Sequence, residues 1–268
     1  MDERDKKILA ELDRNPRISE KKLGRKLRLS QQVVSYRITK LIDDKTISKI
    51  TPIYDLNALG LEHYRVFFRF HQISDKTRHA IFEYLKKQTP VFWAARIGGR
   101  YDLLVVLFVK NYLYFDRFME SLVKEFPNTF RDYEAVYGLY HEYYVHKYLA
   151  HAKTPEPLAY YTYNPPQTID GLDTKIMHAI KENGRQSALS IGQKLGVTYK
   201  TVQNRLKSLQ KRKILLGYRV FTRSEEFKSF IALISFKEYS KQKEERLITE
   251  LRAHKNITQC VRLFGKWQ

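Results

Sequence analysis

An α+β chain built twice, with its second copy incomplete, is what this sequence predicts. Three observations lead there. Asp5-Lys6-Lys7-Ile8-Leu9 returns as Asp173-Thr174-Lys175-Ile176-Met177, and the offset of 168 residues holds without a gap through Arg37-Ile38/Arg205-Leu206 and Leu41/Leu209. Farther on, Arg96-Ile97-Gly98-Gly99-Arg100-Tyr101 lines up with Arg262-Leu263-Phe264-Gly265-Lys266-Trp267, now at an offset of 166, which places a two-residue deletion near Glu225–Ser229. Within each copy the apolar period changes, from helical spacing to strand alternation. A period this long excludes a solenoid and marks a duplicated two-module unit.

The first module reads as three helices. Ile8, Leu9 and Leu12 share one face of a helix over roughly Glu3–Asp13, which Asn15-Pro16 ends. Ser19 is the N-cap expected for a short helix through Leu27, and Gly24, like Gly192, puts a small residue where two helices touch. Ser30 caps a third helix with Val34, Ile38 and Leu41 at i, i+4, i+7; Thr198 caps its counterpart, with Val202, Leu206 and Leu209. Two helices joined by a short turn, the second amphipathic and basic, describe a helix-turn-helix, here with winged-helix-like character. The turn reads Leu27-Arg28-Leu29 in copy one and Leu195-Gly196-Val197 in copy two. A left-handed turn suits Gly and costs another residue roughly 1 kcal/mol, so the second turn is the better formed.

The next module alternates. Tyr64–Phe70 is a strand, Asp75–Gln88 a helix, Val91–Ile97 a strand, Gly98-Gly99-Arg100 a hairpin turn, Asp102–Val109 a buried strand, Asn111–Phe126 a helix and Thr129–Tyr144 a final strand. That order, βαββαβ, is the ferredoxin-like arrangement. The domains are therefore 1–55 (helix-turn-helix), 60–150 (ferredoxin-like), a Pro/Tyr-rich linker over 151–168, 169–222 (second helix-turn-helix) and 228–268 (partial second ferredoxin-like unit). Pro155, Pro157, Pro165 and Pro166 predict an extended linker. Tyr133, Tyr137, Tyr140, Tyr143, Tyr144 and Tyr148, followed by Tyr160, Tyr161 and Tyr163, are expected to line a strand and a docking surface in preference to stacking single-stranded bases. The partial unit lacks counterparts of Leu103–Tyr148, so Phe230–Phe236 is left uncovered; either the chain is a fragment, the favoured explanation, or another element completes the unit.

Charge narrows the partner. Lys and Arg number 49 against 29 Asp and Glu, a net charge of +20 with a pI near 9.8, and such an excess points to a polyanion, nucleic acid or an acidic membrane surface. Between Asp170 and Arg219 eleven Lys/Arg stand against three Asp/Glu. No apolar signal run opens the chain, and Leu103–Val109 is too short to span a bilayer, for which about 20 residues are needed. With Cys260 the only cysteine, an intrachain disulfide and a Cys-rich zinc site are excluded. The expectation is a cytoplasmic, nucleoid-associated protein that binds double-stranded DNA. The outward face of each third helix is where contacts are expected: Ser30, Gln31, Gln32, Ser35, Tyr36, Arg37 and Lys40 in copy one, Thr198, Tyr199, Lys200, Gln203, Asn204, Arg205 and Lys207 in copy two. Gln and Asn pair bidentately with adenine, Lys reaches guanine or phosphate, and Ser or Thr does either. For Arg37 and Arg205, beside core positions, a phosphate contact and a brace within the domain stay open.

The helix-turn-helix followed by βαββαβ, with Gly99-Arg100-Tyr101-Asp102 at the hairpin, resembles the leucine-responsive/asparagine-operon (Lrp/AsnC) family of transcription regulators. So does Arg37-Ile38-Thr39-Lys40-Leu41 followed by Ile47 and Ile50-Thr51-Pro52-Ile53. The resemblance implies that the first module binds DNA, while the second assembles homo-oligomers and binds a small effector such as an amino acid near Gly99, Tyr101 and Asp102. Members usually carry one unit per chain, whereas here two are fused, so one chain could carry both reading heads of a pseudo-dimer.

Catalytic patterns are thin: the sequence has no Ser/His/Asp order, Walker loop or dinucleotide Gly-rich motif, and neither a cofactor nor a metal site is expected. His141, His146 and His151, five apart, do not share a helix or strand face. The competing readings are a general, chromatin-like DNA-binding protein and an enzyme similar to the sirohaem decarboxylases, which use the same two-module architecture. Of the His run those enzymes carry, His63-Tyr64-Arg65 is the one short stretch with any likeness.

Overall fold

The computed structural model describes residues 1–149, 156–161, 165–222 and 229–267. Helices α1 (Glu3–Arg14), α2 (Glu20–Leu27) and α3 (Gln31–Asp43) lead into strand β1 (Ile47–Tyr54). The side chains of Asp2, Ser19 and Ser30 cap the three helices by accepting from backbone N–H groups of the first turn. The same caps recur 168 residues later, where Asp170, Ser187 and Thr198 open α6 (Gly171–Glu182), α7 (Ala188–Leu195) and α8 (Tyr199–Lys211), ahead of β7 (Leu215–Thr222). Each cap satisfies an orphan donor that a helix start leaves open. Both turns before the third helix are left-handed, Arg28 at φ 57° and Gly196 at φ 68°.

The ferredoxin-like unit runs β2 (Glu62–Phe70), α4 (Asp75–Lys87), β3 (Val91–Arg96), β4 (Leu103–Val109), α5 (Tyr112–Glu125) and β5 (Phe130–Tyr143). Its strands order β3-β4-β2-β5, all antiparallel. α4 and α5 cover one face through Ile81, Leu85, Phe118, Met119 and Leu122, which pack on Val66, Phe68, Leu103, Val105 and Leu107. β4 is buried along its whole length, as its apolar run requires.

Two features go beyond the sequence reading. Within the segment expected to link the copies, Leu158–Tyr161 is a strand, β6, paired with Tyr140–Tyr143 of β5. The partial second unit gives α9 (Lys241–Ala253) and β8 (Gln259–Phe264), and β8 joins the first unit's sheet by pairing with Tyr137–Tyr143 of β5. Tyr137 pairs with both Tyr64 of β2 and Phe264 of β8, so β8 lies on the side of β5 away from β2, while β6 continues on β2's side. Arg252 of α9 clamps Glu142 of β5, a buried carboxylate, through its Nε at 3.0 and 2.8 Å. Leu233 packs on the sheet, whereas Phe230 stays 88% exposed, so the expected uncovered apolar stretch is covered in part. The two-residue deletion falls largely on residues outside those described, as do His151, Pro155 and Tyr163.

The helix-turn-helix units are joined by β1 and β7, which pair antiparallel from Ile47↔Thr222 to Tyr54↔Leu215. The units also exchange core residues: Val220 of β7 is buried with Ile8, Leu12 and Ile38, and Ala58, just after β1, is buried with Ile176, Val202 and Leu209.

Candidate nucleic-acid interface

Each third helix buries one stripe and exposes the other. Val34, Ile38 and Leu41 of α3 are buried, as are Val202, Leu206 and Leu209 of α8. On the opposite faces Gln31, Gln32, Tyr36 (68% exposed) and Lys40 of α3 stand in solvent, as do Tyr199 (55% exposed), Lys200, Gln203, Asn204 and Lys207 of α8. Ser35 is half-buried. Ser30 and Thr198 spend their hydroxyls on the caps, accepting from Val33 N at 3.2 Å and Thr201 N at 3.1 Å.

Arg37 and Arg205 make the contacts of the brace. Arg37 Nη1 donates to Asp2 and to Asp5, each at 2.7 Å; Arg205 Nη1 donates to Asp170 at 2.5 Å and Asp173 at 3.4 Å. The Asp5 N–H and the Arg37 guanidinium together hold the Asp2 carboxyl down to about 2. Both arginines thus tie the third helix to the start of the first.

The sequence reading missed how the two units meet. Arg17 donates to the Gln186 carbonyl (3.0 Å) and the Tyr218 hydroxyl (2.8 Å), while Arg185 donates to the carbonyls of Pro16 (2.8 Å) and Ile18 (3.1 Å). Arg17 and Arg185 are repeat counterparts, as are Ile18 and Gln186, so Arg17→Gln186 and Arg185→Ile18 are one contact made twice. A groove of about 490 Å³ opens beside them, lined by Arg17, Ser19, Arg185, Ser187, Gln203 and Lys207 among others, with no acidic residue. The sequence signal was present in the paired arginines at the 168-residue offset.

At the hairpin the structure separates the three expected effector residues. Gly99 adopts φ +96°, where a side chain would be strained. Asp102 is committed to the backbone, its Oδ2 accepting from Phe70 N at 2.8 Å. Tyr101 is buried against Phe67 and its hydroxyl has no partner among the described residues. Arg100 lies over the rings of both Tyr101 and Trp267, at 5.7 and 5.4 Å, so the hairpins of the two copies come together.

A second buried group lies where β5, β6 and β8 meet. His63 is fully buried, stacks on Phe108 with ring centroids 4.8 Å apart, and has no hydrogen-bond partner for either ring nitrogen among the described residues. His141 bonds Tyr160 Oη through Nδ1 (2.8 Å) and Gln259 through Nε2 (3.2 Å). Burial drives both imidazoles well below the ordinary histidine value, helped by the charge of Arg65. Arg65 is only 9% exposed and has no carboxylate partner among the described residues, and burial lowers its pKa. His146 stands apart, bonded through Nδ1 to Asp13 at 2.9 Å.

Comparison with known proteins bears on these features. Residues 1–47 match the winged helix-turn-helix DNA-binding family, and residues 169–210 match the AsnC-type helix-turn-helix domain. An uncharacterised helix-turn-helix transcription regulator of Pyrococcus furiosus is 30% identical over 113 residues, spanning 41% of this chain and 75% of that protein. The chain belongs to the Lrp/AsnC family. The transcription regulator LrpA of Bacillus subtilis is 49% identical over 47 residues, 18% of this Lrp/AsnC chain and 35% of that one. The sirohaem decarboxylase NirDL matches in fold over all of this chain and 83% of its own, with a TM-score of 0.60 at 16% identity. This Lrp/AsnC protein is thus a DNA-binding helix-turn-helix regulator by family, built on a frame that an enzyme also uses. No helix among the described residues is long and apolar enough to cross a membrane.

Proposed function

We propose that the protein is a sequence-reading transcription regulator whose α3 and α8 enter the major groove of double-stranded DNA. The observation that carries this is the pair of third helices, each with its polar face in solvent and both held on one β1–β7 joint. Lys40, Lys200 and Lys207 supply phosphate or guanine contacts, and Gln31, Gln32, Gln203 and Asn204 suit adenine edges. Ser35, Tyr36 and Tyr199 complete the reading faces. The ferredoxin-like unit pairs chains through its open edge at β3, where Phe92 and Trp93 stand exposed. A small effector binds where the hairpins meet; the Tyr101 hydroxyl and Trp267 indole N–H, without partners among the described residues, support that reading. The work is done at the nucleoid, in the cytoplasm. Fluorescence anisotropy on genomic fragments and shuffled duplex across a salt series tests the function. A steep log–log salt slope with tighter binding to one fragment supports it; equal affinity for every duplex reassigns the protein to a chromatin-like role.

A second reading is favoured by one observation, the buried Arg65 without a carboxylate beside a neutral, unpartnered His63. An uncompensated buried cation is costly, and a carboxylate-bearing ligand would relieve it. On a frame shared with a sirohaem decarboxylase, Arg65 would hold a carboxylate and His63 would exchange a proton. Titrating the protein with sirohaem decides: a bound Soret spectrum that Arg65→Ala abolishes supports the enzyme, and an unchanged spectrum removes it.

A further inference from the structure

The contacts between the two helix-turn-helix units obey a local two-fold relation. In the β1–β7 ladder Ile50 pairs with Val220 and Pro52 with Tyr218. Shifting each residue to its repeat counterpart, 168 positions away, turns the first of these pairs into the second. Thr51↔Arg219 is the pair that maps onto itself, so the pseudo-two-fold passes through it. The reciprocal contacts of Arg17 with Gln186 and Arg185 with Ile18 are mates under the same relation. The groove beside these arginines is lined in part by Gln203 and Lys207 of α8, which puts the joint and a reading face on one side of the molecule.

The scaffold obeys this symmetry and the reading faces do not. The caps Asp2/Asp170 and Ser19/Ser187, the braces Arg37/Arg205, and the core pair Val34/Val202 are identical between copies. At the solvent face Gln31 stands opposite Tyr199, Gln32 opposite Lys200, Ser35 opposite Gln203, Tyr36 opposite Asn204 and Thr39 opposite Lys207. All five differ in hydrogen-bonding pattern, size or charge. A symmetric homodimer presents one reading face twice and so selects an inverted repeat; this frame presents two different faces in the same mutual orientation.

We propose that a single chain reads a directional DNA site made of two unlike half-sites, placed as in an inverted repeat but differing in base sequence. This rests on the DNA-reading function proposed above. The α8 half-site carries guanine or phosphate contacts from Lys200 and Lys207 and adenine contacts from Gln203 and Asn204; the α3 half-site is read by Gln31, Gln32, Ser35 and Tyr36. The groove cations Arg17, Arg185 and Lys207 face the phosphates between the half-sites, and since Thr39 replaces Lys207 on the other side, that contact is also one-sided. The orientation of the site along DNA thereby fixes which way the ferredoxin-like sheet points.

Selection of bound duplex from a random pool by the full-length chain, followed by sequencing, tests this. The expected result is one motif of two unlike blocks in fixed order, their centres spaced near a multiple of the ~10–10.5 bp helical repeat. Replacing the α3 block by the inverted complement of the α8 block should weaken binding at least tenfold. The variant Q31Y/Q32K/S35Q/Y36N/T39K should restore binding to that inverted repeat, and Q203A should alter selection at the α8 block alone, which guards against a misfolded multiple variant. Enrichment of a perfect inverted repeat, or of a single block, overturns the proposal while leaving sequence reading intact. Enrichment of no motif overturns both.

Discussion

In the first helix-turn-helix unit an arginine, Arg28, holds the left-handed turn before the reading helix; in the second a glycine, Gly196, does so. At the solvent-exposed start of that helix the first unit carries Gln31 and Gln32, the second Tyr199 and Lys200. Beneath these differences the packing is the same. A Cβ on Gly24 would meet Leu29 O at 2.6 Å, and one on Gly192 would meet Val197 O at 2.6 Å. The contrast separates two physical demands. Close helix contact tolerates one residue type, because the neighbour is backbone that cannot swing away. The solvent face meets no such limit, and there the copies have diverged.

The strongest way to break this comparison is to load both close contacts. Gly24→Ala and Gly192→Ala should each destabilise by about 2–3 kcal/mol, since a backbone carbonyl must shift. Equal losses in urea denaturation would uphold a shared scaffold; a clear inequality would mean the two units are packed differently.

On DNA the difference between the faces should appear directly. Gln203→Ala or Asn204→Ala should relax preference at one or two base pairs by ~1–3 kcal/mol, whereas Lys200→Ala should weaken all duplexes alike and lower the salt slope by about 1. Gln32→Ala, at the position matching Lys200, should leave the salt slope unchanged. Binding isotherms at several salt concentrations distinguish these outcomes, and identical slopes for Lys200→Ala and Gln32→Ala would erase the distinction between the two heads.

The six-stranded sheet should lose stability as the pH falls below 6.5. His63 and His141 are held neutral by burial, so their folded pKa lies below the unfolded value near 6.5. The unfolded chain then binds more protons as pH falls, and the stability these residues contribute is present above 6.5 and lost below it. Each histidine should cost about 1 kcal/mol per pH unit once the pH is below 6.5. Comparing denaturation at pH 7 and pH 5.5 for wild type and His63→Phe checks this, and an unchanged pH dependence in the variant would remove His63 from the effect.

The smallest expected change sharpens the first contrast. Arg28→Gly should stabilise the first unit by about 0.5–1 kcal/mol, the left-handed strain less the added freedom of the unfolded chain. Gly196→Arg should cost the second unit a similar amount. Thermal melts of the pair would read it, and a destabilised Arg28→Gly would show that the Arg28 side chain contributes more than its backbone costs.

Much of the architecture was legible because its signals are local. Ser19, Ser30 and Thr198 announce helix starts through bonds spanning three residues. Val34, Ile38 and Leu41 mark a buried stripe by their spacing alone, and Leu103–Val109 marks a central strand by its unbroken apolarity. The hairpin at Gly99 was placed correctly, yet Asp102, grouped with the effector residues, turned out to hold the Phe70 amide. A carboxylate looks the same in sequence whether it serves the chain's own backbone or a ligand. The two alternatives for Arg37 were likewise separated only when Asp2 and Asp5 were seen beside its guanidinium.

What the sequence by itself determined was the repeat, the three helices of each reading unit with the caps Ser19, Ser30 and Thr198, the order of strands within the ferredoxin-like unit, and the excess of positive charge. These follow from residue spacing and composition, which act over a few positions or over the whole. The tertiary structure alone decided that β1 pairs with β7, that β8 completes the first sheet along β5, and that Arg17 and Arg185 each donate to backbone carbonyls of the opposite unit. It also decided that His63 and Arg65 are buried with His141. Strand pairing is made by peptide groups that every residue carries, and so is an arginine's hold on a carbonyl. Contacts of that kind leave no periodicity behind, and only the folded chain shows which distant segments share them.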